Sequence, residues 1–130
     1  MLNDLPSIYE HSLFALTELT SATHQRLFTF MRMLSALIVM NVLDGLFTLF
    51  WISTNRATEA NPLMSATLDI HPVLFICVKL ALVNLGAIIL MRYWEKAFAV
   101  LSLAIACCFY SIVLSYHCTM LVALGFLPVL

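Results

Sequence analysis

Three apolar runs, at residues 30–52, 72–91 and 97–120, constrain this chain more than any other feature. Each is close to the ~20 residues that a helix needs to cross the ~30 Å hydrocarbon layer of a bilayer. Inside lipid no water is available to the backbone, so a crossing segment must satisfy its own N–H and C=O groups, which a helix does. The fold class that follows is all-α, an integral membrane helical bundle of three transmembrane spans. Composition agrees: 63% of the 130 residues are hydrophobic and 10% charged, where a soluble domain is about half apolar and a quarter charged. A net charge of −1 and the lack of any basic run exclude nucleic acid as a partner. The partners expected are the lipid bilayer and other membrane protein subunits, or further copies of the chain.

The spans divide the chain into residues 1–22, an N-terminal segment, and residues 23–130, the transmembrane bundle. In the first, Ser7 and Glu10 have capping-box spacing, and Tyr9, Leu13 and Leu16 share a face at helical spacing. The expectation is an amphipathic helix on the membrane surface or against protein, broken at Thr20-Ser21-Ala22-Thr23. Acidic residues and no basic n-region precede the first run, so it reads as a span rather than a secretory signal. The cysteines (Cys77, Cys107, Cys108, Cys118) form no Cys-x-x-Cys and read as small packing residues, with no metal or cofactor implied.

Between spans 1 and 2, Asn61-Pro62 reads as an N-cap followed by proline at the first helical position. It opens a short interfacial helix through about Leu68, and His71-Pro72 repeats the device to start span 2. Tyr93 and Trp94 in the next turn, and Trp51, read as interface anchors. In span 3, Ala104, Cys108, Ser111, Ser115 and Cys118 form a stripe of small residues, expected to be a packing face because small residues let helices approach closely in lipid. The helix is expected to bend near Gly125, with Leu127–Leu130 in the interface. Arg26 and Arg32 precede span 1 and Arg92 and Lys96 follow span 2, while Arg56 stands alone in the first loop. The positive-inside rule then puts the N-terminus in the cytoplasm and the C-terminus outside.

Ionisable residues inside spans are costly and point to function or to a partner. Asn41, Asp44, Gly45 and Thr48 fall on one stripe of span 1, with Asn55 continuing it, and span 2 carries Lys79 and Asn84. Counted from Thr54 and His71, Asp44 lies about 15 Å deep, Lys79 about 12 Å, and Asn41 and Asn84 about 20 Å each. An Asp44–Lys79 pair and an Asn41–Asn84 pair are therefore matched in depth. However, Asn84 is turned about 140° from Lys79 on an ideal helix, so forming both requires adjustment or a third helix.

The pattern Asn-x-Leu-Asp-x-x-x-Thr (Asn41 to Thr48), then Glu-Ala-Asn-Pro-Leu-Met (Glu59 to Met64), then Lys79, resembles a family of small bacterial and archaeal inner-membrane proteins catalogued as a domain of unknown function. The resemblance covers roughly residues 35–115. It implies a three- or four-span bundle in a prokaryotic inner membrane and supplies no activity, so Asp44, Thr48, Glu59, Asn61, Pro62 and Lys79 carry over as motif residues without roles.

Asp44 and Lys79 read either as a pair that fixes helix register or as part of a relay. The first is preferred because no chain of titratable groups crosses the bilayer. Glu59, Asp69, His71 and His117, with Cys118 nearby, offer a second, weaker constellation at the outer surface, for metal or acid/base chemistry. No nucleophile elbow, His-Glu-x-x-His or phosphate loop is present, and no catalytic residue is assigned. The leading reading is a non-enzymatic bundle acting by helix–helix association, as an accessory or assembly subunit of a larger membrane complex. The alternatives are a small homo-oligomeric transporter or channel using the Asn41/Asp44/Thr48 and Lys79 stripe and, third, an intramembrane enzyme.

Overall fold

The computed structural model describes residues 5–125, with side chains from Tyr9 onward. Four helices follow in order: α1 (Leu5–Ser53), α2 (Pro62–Ile70), α3 (Pro72–Arg92) and α4 (Ala97–Ala123). Three of them, α1, α3 and α4, contain stretches long and apolar enough to cross a membrane. The all-helical bundle class is the observed one, and the chain divides into two compact units, Met1–Arg32 and Met33–Leu130.

The first unit is not a separate helix but the beginning of α1. The helix already includes Leu5, so Ser7 lies within it and not at a capping box. Nor does α1 break at Thr20–Thr23. The Thr20 and Thr23 hydroxyls donate to the carbonyls of Leu16 and Leu19, which keeps them inside the helical ladder instead of competing with it. No glycine or proline stands between Pro6 and Gly45 to interrupt the run. Its apolar residues Tyr9, Leu13, Phe14, Leu16 and Leu19 are exposed.

In the second unit, α1 contributes residues 33–53, about 31 Å of helix and one bilayer crossing. It packs with α3 and α4 around Leu34, Leu37, Trp51, Phe75, Ala87, Ala99 and Leu103. The α1–α4 contacts fix a parallel register: the Cys107 thiol lies 3.5 Å from the Met33 carbonyl, the Ser111 hydroxyl 3.6 Å from Met40 Sδ, and Tyr110 bonds Asn41. At Gly45 an added Cβ would stand 3.0 Å from Ile76 Cδ1, so the absent side chain permits the close approach of α1 and α3.

The loop is built from caps. Asn55, placed by sequence on the polar stripe, instead ends α1 with φ +54°. Arg56 N–H donates to Trp51 O and Asn55 N–H to Ile52 O, a Schellman closure with asparagine at the left-handed position. Glu59 Oε1 then accepts the Asn61 backbone N–H at 2.9 Å, and Asn61 Oδ1 accepts the Leu63 N–H at 3.0 Å, with Pro62 at the first helical position of α2. His71 ends α2 through its N–H and starts α3 by accepting the Val73 N–H on Nδ1. At the far end, α4 stops at Ala123 and Gly125 adopts φ +74°. The expected Leu127–Leu130 tail lies outside the described residues.

Candidate functional site

The polar stripe of α1 meets both other spans at one point. Asp44 is buried, and its two carboxylate oxygens serve different helices. Lys79 Nζ of α3 lies 2.6 Å from Oδ2, and His117 Nε2 of α4 lies 3.1 Å from Oδ1. Two turns further along α1, Trp51 Nε1–H donates to His117 Nδ1 at 2.8 Å. An indole N–H only donates, so Nδ1 must be the unprotonated nitrogen and Nε2 carries the proton. His117 is thereby assigned as a neutral ring that donates to Asp44. The chain runs Trp51 to His117 to Asp44, with Lys79 closing it from the other side. Phe47 stacks on the imidazole with centroids 5.1 Å apart, and the Phe75 ring lies 5.5 Å from Lys79 Nζ, within cation–π range. One anion meets one cation inside a shell of aromatic faces, and among the described residues no buried side-chain nitrogen or oxygen lacks a partner.

Asn41 does not pair with Asn84. It is buried at 1% exposure and its Oδ1 accepts the Tyr110 hydroxyl at 3.0 Å. A third helix thus supplies the partner, because Asn84 lies on the far side of α3, where it is exposed and has no hydrogen-bond partner among the described residues. Thr48 donates its hydroxyl to the Asp44 carbonyl at 2.8 Å. Trp51 is 2% exposed and belongs to the core, not to an interface belt. His117 leaves the proposed outer cluster altogether, and no group of three His, Cys, Asp or Glu side chains suited to a metal forms among the described residues. Glu59, Asn61 and Pro62 serve as the successive caps of α2 described above.

The small-residue stripe of α4 is enclosed by the chain's own helices only in part: Ser111 lies 3.6 Å from Met40 Sδ of α1. Ala104 is half-buried, but Cys108, Ser111 and Ser115 are exposed, as is Cys118. Ser111 and Ser115 bond back to the carbonyls of Cys107 and Ser111. The inward face of α4 carries Ala99, Leu103, Tyr110 and His117 instead, at spacings of four and seven. That spacing was present in the sequence and would have placed His117 and Tyr110 on one seam.

Neither a curated protein nor a solved structure matches this chain. A family profile does, over residues 35–123, a range that contains Asn41, Asp44, the Glu59–Pro62 caps, Lys79, Tyr110 and His117. Its C-terminal limit lies eight residues past the end expected from the motifs and takes in the histidine of the buried network. The chain therefore belongs to the family described as domain of unknown function DUF5658.

Proposed function

We propose that this is a non-enzymatic integral membrane protein of the prokaryotic inner (cytoplasmic) membrane, acting by helix–helix association as an accessory or assembly subunit of a larger complex. The observation that carries this reading is Asn84. Its carboxamide is exposed at mid-span, where an unbonded amide is costly and a polar group on another helix relieves the cost. The exposed small residues Cys108, Ser111 and Ser115 on α4 support the same reading, since they permit close approach by a neighbouring helix.

The buried network argues for architecture over chemistry. Each of its polar atoms is matched, and the Trp51 N–H blocks the His117 nitrogen that a relay would have to load. The groove between α1 and α4, lined by Leu43, Leu46, Phe47, Phe50 and Leu121, is apolar and offers nothing to orient a polar substrate.

The test is native purification from membranes with mass spectrometry, comparing wild type with Asn84→Leu. Stoichiometric partner chains that are lost or reduced several-fold in Asn84→Leu, while the bundle's own thermal transition is unchanged, are the expected result. A wild-type protein that purifies as a bare monomer overturns the reading.

A further inference from the structure

His71 and His117 each accept a hydrogen bond on Nδ1. His71 takes the Val73 N–H at an exposed helix start, whereas His117 takes the Trp51 indole N–H inside the bundle, at 2.8 Å. The buried bond is strict about protonation. An indole nitrogen only donates, so it can face Nδ1 only while that nitrogen is bare. On the other side of the ring, Nε2–H already serves Asp44 Oδ1 at 3.1 Å. A proton taken up by the imidazole therefore has Nδ1 alone to occupy. Once there, it sets two donors head to head within the core, where Trp51 is 2% exposed and His117 8%, and an unmet buried donor is costly.

We infer that the Trp51–His117 bond is an acid-sensitive latch on the α1–α4 seam: protonation of Nδ1 expels the indole and leaves the imidazolium on Asp44. The proton comes from solvent, and the Nε2–H bond to Oδ1 is kept. The place of the latch suits it. Trp51 stands three residues before Thr54, about 5 Å of helix from the end of the span. The last turn of α1 can therefore release the indole without disturbing the Asp44–Lys79 pair, two turns deeper.

The groups around the ring narrow the trigger to the imidazole. Helix α1 presents Asp44, and α3 presents Lys79 on the other carboxylate oxygen. Helix α4 itself carries Tyr116, whose ring centroid lies 6.1 Å from that of His117, and Tyr110, which is bonded to Asn41. Carboxylates ordinarily titrate at about 4, and phenols and ammonium groups at about 10, whereas an imidazole changes charge between about pH 5 and 8. Lys79 opposes the latch, because it already neutralises the carboxylate that an imidazolium would need. The inference is independent of the association reading, since the latch lies wholly within one chain.

The experiment reads Trp51 emission in the full-length protein in detergent micelles, with Trp94→Phe as background so that Trp51 is the sole tryptophan. Between pH 8 and pH 5 the emission should move to the red and acrylamide quenching should rise several-fold, reversibly and with helix content by circular dichroism unchanged. His117→Gln offers an acceptor and a donor but takes no charge, and should abolish the transition. His71→Asn keeps an acceptor for the Val73 N–H and should retain it. Lys79→Met should move it to higher pH. Emission independent of pH overturns the inference. So does a transition that survives in His117→Gln, disappears in His71→Asn, or is accompanied by loss of helix, which would be unfolding of the bundle and not release of one ring. Where His117→Gln does not accumulate, the Lys79→Met variant decides: a transition left unmoved there overturns the latch.

Discussion

Asp44 holds two partners and Lys79 chiefly one, which makes the consequences of removing them unequal. Both side chains are largely enclosed, 12% and 17% exposed, so their separation is a buried-pair problem and not a surface one. In Asp44→Asn, a single amide oxygen replaces two carboxylate oxygens. The new NH2 then faces either the Lys79 ammonium or the His117 Nε2–H, and both of these are donors. The ammonium is also left without its anion. Breaking a buried pair in this way costs about 3–5 kcal/mol. Lys79→Met is milder. Asp44 keeps His117 at 3.1 Å, and a thioether of similar length refills the space beside Phe75. The Asp44 charge is still left without its cation, so the loss falls at the lower end of the same range, about 3 kcal/mol. In the double variant Asp44→Asn/Lys79→Met no unpaired charge remains, so the combined loss should fall short of the sum by roughly 0.5–3 kcal/mol, the coupling range for residues in one network. Unfolding of the four forms in detergent micelles, with membrane accumulation measured in parallel, reads these differences. Additive losses would refute the coupling. A Lys79→Met variant as damaged as Asp44→Asn would refute the assignment of His117 as the second partner of Asp44.

Gly45→Leu, which must displace Ile76, should destabilise the bundle by about 1–3 kcal/mol, whereas Gly86→Leu meets nothing within 4 Å and should leave the same transition in place. Asn61→Ala removes the side-chain cap of α2 and should cost about 1 kcal/mol, seen as faster amide exchange at Leu63; Glu59→Gln keeps an oxygen for the Asn61 N–H and should be close to neutral. For orientation, an alkaline-phosphatase reporter fused after Leu130 should be active and one fused after Trp94 inactive, and the opposite pattern would reverse the proposed topology.

Quantities that run along a single helix could be read from the chain before any fold was known. Span length follows from the apolar runs, and the start of α2 from Asn61-Pro62. The similar depths of Asp44 and Lys79 follow from counting residues at 1.5 Å each, because a hairpin of two spans has only one coordinate to match. The position of Thr20–Thr23 was misread because a run of threonine and serine weakens a helix only if the hydroxyls compete for the backbone, and here those of Thr20 and Thr23 bond one turn back.

What no count along the chain supplies is rotation about a helix axis and the register of a third helix. Asn84 matched Asn41 in depth, but its place on α3 points it away, and Asn41 found Tyr110 instead. His117 was assigned to the outer surface because its height depends on how far α4 slides along α1. Contacts from Met33–Cys107 through Trp51–His117 set that slide, and they join residues distant in sequence through packing that leaves no local signature. Helical period and depth were determined by the sequence alone. Which polar groups meet was decided by tertiary packing, because a hydrogen bond of 3 Å requires three helices to agree in height, rotation and spacing at once.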